Sequence, residues 1–135
     1  MSVLALVLIG LLESAWLGDA QAAGDPPPGA IRLLEGYQHE TLQGIDSRVG
    51  RIFKNGGPEV HYDIGAMAGN HARQPDMRRW SKRQTVGSNT FTLTMRTDDS
   101  LVLTFDKNTA NFFIRGIRTQ EELAEILLML FTYNP

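Results

Sequence analysis

The chain has 135 residues, which is room for one small domain, and it contains no cysteine. The lack of cysteine excludes disulfides, zinc–thiolate sites, a cysteine nucleophile and a lipid anchor attached through cysteine. A formal net charge of −2, from 13 basic and 15 acidic side chains, argues against bulk nucleic acid as a partner.

The N-terminus has the pattern of a secretory signal peptide over residues 1–22. Residues 3–12 form an apolar run that is too short to cross a bilayer, and Ala20-Gln21-Ala22 places small residues at a cleavage position. No lysine or arginine precedes the run, which departs from the usual pattern and leaves an amphipathic first helix as the alternative. We therefore predict an exported protein, periplasmic or secreted, with no transmembrane span in the mature chain.

A proline-rich segment at residues 23–30 follows the predicted signal. It contains three consecutive prolines, which favour an extended chain and carry no backbone donors. We predict a short, stiff spacer here, followed by one domain over residues 31–135.

Two groups of strands are predicted in that domain. In the first group, Asn55-Gly56 lies between two β-rich runs, which is a strong hairpin signal. In the second group, alternation of apolar and polar residues indicates an antiparallel meander with one apolar face and one threonine-rich, solvated face. The predicted strands are residues 31–38, 48–54, 58–64, 80–86, 90–97, 101–105 and 110–117.

A C-terminal helix ends the chain. Thr119 and Glu122 have the spacing of a capping box, and an apolar stripe at three- and four-residue spacing indicates a helix that is buried on one side. The stripe consists of Leu123, Ile126, Leu127, Leu130 and Phe131. The predicted fold class is therefore α+β. It is a curled antiparallel sheet of about six or seven strands, or a partly open barrel, with the C-terminal helix packed on one face.

The first candidate site is a row of acids and a histidine in one predicted strand. In an extended chain, Glu59, His61 and Asp63 share one face. Together with His39 or His71, this row offers nitrogen and oxygen ligands for a metal, or groups for acid–base chemistry. The spacing matches no established motif, so a solvated strand face is the alternative, and no cofactor is predicted.

Residues 73–83 form the second candidate site, because they carry five basic side chains and one acidic one. Arginine beside an aromatic residue can bind carboxylates, phosphates or sugar rings through hydrogen bonds and stacking. We predict contact with an anionic partner through Arg78, Arg79 and Trp80. A solvated loop, with the tryptophan anchoring the next strand, is the alternative.

A third feature is the adjacent pair Phe112-Phe113 in the last predicted strand. Alternation places one ring toward the helix and the other away from it. The outward ring needs cover, and the irregular loop at residues 65–79 is the candidate lid. A small apolar pocket beneath this loop would lie near Tyr62 or His61, and we predict that both take part in ligand recognition.

These observations favour a small exported, non-catalytic binding module, monomeric or weakly dimeric, that contacts an anionic envelope component or protein. Two alternatives come from other functional classes. One is a small metal-dependent or acid–base hydrolase that uses His61 and Asp63. The other is an envelope assembly subunit that adds an edge strand to a neighbour.

Overall fold

A computed structural model describes residues 25–65, 68, 77–107 and 109–135. The predicted signal peptide lies outside these residues, and so does most of the predicted loop at residues 65–79. Seven strands and one α-helix occur in the described part of the chain. Their bounds are β1 Tyr37–Leu42, β2 Arg48–Lys54, β3 Glu59–Ile64, β4 Arg78–Val86, β5 Asn89–Arg96, β6 Leu101–Phe105, β7 Ala110–Arg115 and α1 Gln120–Leu130.

The strands form one antiparallel sheet in the order β1-β2-β3-β7-β6-β5-β4. A three-stranded meander and a four-stranded meander are joined where β3 pairs with β7, with Tyr62 opposite Phe112. β1 and β4 are the two edges of this sheet, so it is open and not closed into a barrel. The predicted α+β fold, an antiparallel sheet with a C-terminal helix, is confirmed.

The core lies between the sheet and α1. Alternate side chains of the central strands point to this side, which we call the helix face; the other side is the opposite face. The core includes Ile52, Val60, Tyr62, Leu103, Phe105, Phe112, Ile114, Ile126, Met129 and Leu130. Burying a large apolar side chain is favourable by roughly 1.5–3 kcal/mol, so this layer fixes α1 to the sheet.

The helix begins at the predicted cap. The Thr119 hydroxyl accepts a hydrogen bond from the Glu122 N–H at 3.1 Å, and the Glu122 carboxylate accepts one from the Arg118 N–H at 2.9 Å. The predicted stripe is wrong at Phe131, which is 50% exposed, while Met129 is buried. Phe131 follows Leu130, the last residue of the helix, and its ring contacts Phe91 at the margin of the core, with 5.2 Å between ring centroids, so its other side stays open to solvent.

The proline-rich segment packs against the domain in its described portion. Pro28 is buried, and a Cβ added at Gly29 would lie 2.4 Å from the ring of Tyr133. The Asn134 N–H donates to the Gly29 carbonyl at 2.8 Å. From Asp25 onward, the segment predicted as a spacer is thus in contact with the C-terminus of the same domain.

The first strand begins later than predicted. The Tyr37 N–H donates to the Leu34 carbonyl at 3.1 Å, which closes a turn, and Gly36 within this turn has a φ of +87°, a conformation that suits glycine. Pairing with β2 therefore starts only at Tyr37, which lies opposite Lys54.

The opposite face is not the solvated surface that was predicted. Thr94, Thr104 and Asn111 on this face are at most 2% exposed, and the Thr104 hydroxyl donates to Asn111 Oδ1 at 2.9 Å. Phe112 points to the helix face and Phe113 to the opposite face, as the alternation predicts. Within the described residues, no helix has the length and apolar character needed to cross a membrane.

Candidate functional site

The most exposed element of the fold is β4, the edge strand that contains the predicted basic residues. All nine of its residues are exposed, and β5 is its one neighbour among the strands of the described residues. The two-residue loop Gly87-Ser88 joins these strands, and the φ of +61° at Gly87 is of the kind that tight hairpins require. A β-bulge lies between Arg78 and Trp80. An edge of this kind leaves a row of backbone N–H and C=O groups open to another chain.

The positive charge of β4 is only half neutralised. Arg79 forms an ion pair with Asp99, and Arg83 forms one with Asp106. In the described part of the chain, Lys82 and Arg78 have no carboxylate partner. Among the described residues, two of the four positive charges of this edge therefore have no ion-pair partner.

Trp80 lies on the same face of β4 as Lys82. The two residues are opposite Met95 and Leu93 of β5, whose side chains belong to the border of the core. Trp80 is 44% exposed, so α1 does not cover this end of the helix face. Beside the unpaired cations, the helix face thus presents an accessible aromatic surface.

An apolar cavity of about 230 Å³ opens on the helix face at the end of β4. It is lined by Val86, Asn89, Phe91, Phe105 and Phe131. Three of the walls are aromatic, with the ring of Phe91 5.2 Å from that of Phe131 and 6.0 Å from that of Phe105. The sequence did not reveal this cavity, because the helical stripe predicted Phe131 to be buried.

The row of acids and a histidine forms an ion-pair network on the opposite face. Glu59 Oε1 accepts a hydrogen bond from Arg51 at 3.1 Å and lies 2.9 Å from His61 Nε2. Arg51 also donates to the Glu40 carboxylate at 2.6 Å. The side chain of His61 is 42% exposed. Oδ1 of Asp63, in the same row, is buried and has no hydrogen-bond partner in the described part of the chain.

The pKa of Glu59 lies below its ordinary value. Partial burial opposes ionisation of this carboxyl group, but the hydrogen bond from Arg51 and the charge and hydrogen bond of His61 outweigh that effect. The carboxylate is therefore held by two neighbours, which is the arrangement of a structural ion-pair network.

His39 and Tyr62 form a separate, buried pair on the helix face. His39 Nε2 lies 2.8 Å from the Tyr62 hydroxyl, and Nδ1 lies 2.7 Å from the Asp25 carbonyl oxygen. Because a carbonyl can only accept, Nδ1 carries the proton, and in the neutral ring Nε2 accepts the proton of the tyrosine hydroxyl. Burial is the largest effect on the pKa of Tyr62 and raises it.

The structure thus separates the predicted site residues into three places. Arg78, Arg79 and Trp80 lie at the β4 edge, His61 and Asp63 lie on the opposite face of β3, and His39 and Tyr62 lie on the helix face. No group of three potential metal ligands occurs among the described residues, and His71 lies outside them. Comparisons of this chain with protein-family models, curated proteins and solved structures found no match.

Proposed function

We propose that this protein is a small, non-catalytic binding module that takes an acidic, extended segment of a partner protein as an added strand beside β4. The observation that supports the proposal is the exposure and the positive charge of β4. It is nine residues long and exposed throughout, and Arg78 and Lys82 have no carboxylate partner in the described part of the chain. The proposal combines two hypotheses from the sequence, an anionic partner and the addition of an edge strand.

Backbone groups would supply the affinity of such a complex. In an antiparallel pair, every second residue directs its N–H and C=O away from the neighbouring strand. An added strand satisfies these groups, and its alternate side chains meet those of β4 and determine specificity. β4 suits this role because nothing in the described part of the chain pairs with its outer edge.

Charge would select the partner. Two copies of this chain paired at their β4 edges would bring like charges opposite each other, which destabilises a sheet. An acidic strand would instead place carboxylates beside Lys82 and Arg78. Lysine on an edge is also a device against edge-to-edge aggregation, so the same residues would reject wrong partners and attract the right one.

A designed peptide tests the proposal. The probe is a fluorescein-labelled peptide as long as β4, with threonine alternating with glutamate, and the matched control replaces glutamate with lysine. We expect saturable binding of the acidic peptide, weakened by salt, and loss of binding in the double variant Arg78→Glu/Lys82→Glu. The control variant Arg32→Glu/Lys107→Glu makes the same change of charge at exposed positions away from the edge and should bind normally.

Methylation of the peptide backbone separates strand addition from simple charge attraction. Two versions of the acidic peptide carry N-methyl groups on alternate amides, in opposite phases. A strand paired on one side uses only every second N–H, so one phase should abolish binding and the other should retain it. Equal binding of the two versions, or of the glutamate and lysine peptides, would refute strand addition by an acidic partner.

Export is part of the proposal and is supported by the apolar run and the Ala20-Gln21-Ala22 site in the sequence. We expect the protein in the envelope or secreted fraction of its own cells to begin at Ala23. N-terminal sequencing of that material is the measurement. Recovery of the chain only from the cytosol, with residues 1–22 intact, would contradict this part of the proposal.

A further inference from the structure

We infer that the partner segment carries an aromatic residue four positions from an acidic one, and that the aromatic side chain enters the cavity at the end of β4. This inference rests on the proposed function, because it requires a strand beside β4. It adds a chemical description of that strand, and the description follows from the positions of Lys82 and Val86.

The cavity has the size and lining of a site for one aromatic ring. Its volume is about 230 Å³, whereas an apolar cavity of about 150 Å³ already accommodates benzene. Phe91, Phe105 and Phe131 supply aromatic walls, to which another ring can pack edge-to-face or offset. Asn89 is the one polar residue of the lining, so a charged side chain would lose its hydration there without compensation.

The cavity is continuous with the β4 edge. Val86 is the last residue of β4, is 61% exposed, and forms part of the cavity lining. It shares a face with Lys82 because side chains alternate along a strand. A side chain that lies opposite Val86 on an added strand therefore has the cavity directly in front of it. Adjacent strands are only about 4.8 Å apart, which an aromatic side chain spans.

Register fixes the spacing of the motif. The residue of the added strand opposite Val86 is the aromatic anchor, and the residue opposite Lys82 is the acid. These two positions are four residues apart and lie on one face, since the strand period is two. A spacing of three would put the two side chains on opposite faces of the sheet, so it serves as the negative control.

The test compares four variants of the acidic peptide for affinity, by fluorescence anisotropy with the whole chain. Each variant retains one glutamate of the repeat, with threonine at the other glutamate positions. Phenylalanine lies four residues before that glutamate, four residues after it or three residues from it, and alanine replaces it in the fourth variant. We expect one order of the four-residue spacing to bind about tenfold more tightly than the alanine peptide, as burial of one ring predicts. The three-residue spacing should show no gain.

A cavity-filling variant identifies where the ring binds. Val86→Trp should remove the gain from phenylalanine, so that the phenylalanine and alanine peptides bind this variant with equal affinity; residue 86 is exposed, and its replacement spares the core. Ile45→Trp is the matched control, because Ile45 is 98% exposed and lies in the β1–β2 loop.

The outcomes separate this inference from the function on which it rests. Equal affinity of all four peptides would overturn the anchor and leave strand addition standing. A gain that persists at three-residue spacing, or in Val86→Trp, would also overturn it, because the ring would then bind elsewhere. Absence of binding by every acidic peptide would refute the proposed function and the anchor together.

Discussion

Tyr62 can lie across β2 because residue 50 has no side chain. Gly50 is opposite Tyr62 in the register of β2 and β3, and a Cβ at this position would lie 2.1 Å from the tyrosine hydroxyl oxygen. The space lets the hydroxyl reach His39. Gly50 thus allows the close approach of the Tyr62 side chain and does not form a turn.

Gly50→Ala should lower the free energy of unfolding by about 1–3 kcal/mol, because the added methyl group overpacks this contact. Gly56→Asn is the control. Gly56 has a φ of +69° with no atom within 4 Å of an added Cβ, and asparagine tolerates that conformation. Urea unfolding measures both variants, provided that their m-values are equal. An unchanged midpoint for Gly50→Ala would contradict the close approach.

Glu59 gives the fold a pH dependence of defined sign. Its pKa is lowered in the folded state, so its contribution is present above the unfolded-state value of about 4.3 and is lost as pH falls through the folded value. Glu59→Gln should therefore lower stability at neutral pH, by less than about 1 kcal/mol because the network is partly exposed. Thermal unfolding across acidic pH should show the two proteins converging. A difference that stays constant into strong acid would refute this assignment.

At the scale of elements, β4 and β6 have opposite environments. All five residues of β6 are buried, and the strand pairs on both sides. β4 is exposed and pairs on one side. Few buried contacts and exposed hydrogen bonds mark the parts of a fold that open most easily.

Amide hydrogen exchange should therefore be faster in β4 than in β6. The other edge strand, β1, is the internal control, since Tyr37 and His39 are buried in it, and its exchange should be slower than that of β4. Exchange monitored by mass spectrometry with and without the acidic peptide should show protection gained in β4 and none in β1. Protection gained in β1 alone would mean that the peptide binds beside β1, which would contradict the proposed binding at β4.

Local sequence signals predicted those elements in which one face is buried. Patterns of apolar and polar residues predicted β2, β3, β5, β6 and β7 to within a few residues, and Thr119 predicted the start of α1. The signals failed where an element lacks that pattern. Arg78 and Arg79 were predicted to lie in a loop, because a run of charged residues shows no alternation of apolar and polar side chains. Both lie in β4.

The order of the strands could not be predicted from the sequence, because it depends on contacts between distant residues. β3 and β7 are separated in the chain by three other strands and yet pair at the centre of the sheet. This pairing leaves β4 at the edge, so the accessibility of the basic segment is a property of the whole topology. The cavity is equally non-local, since Val86 and Phe131, which both line it, are 45 residues apart in the chain (131 − 86).

All three tyrosines of the chain are buried in the fold. Burial is the main reason why the pKa values of Tyr37, Tyr62 and Tyr133 are raised. For Tyr37, the hydroxyl also donates to the Glu125 carboxylate at 2.8 Å, which further favours the neutral phenol. The unfolded chain loses these protons at about pH 10, while the folded chain retains them.

Stability should therefore fall as pH rises above about 10, because the unfolded state then binds fewer protons than the folded state. Tyrosinate absorbance should stay flat through that range and rise only together with the loss of the circular dichroism signal. Tyr133→Phe removes one of these titrations without deleting any hydrogen bond of the hydroxyl among the described residues, so it should move the alkaline midpoint upward. A gradual rise in absorbance while the fold persists would mean that the tyrosines are open to water, and the helix face could not then be packed as described.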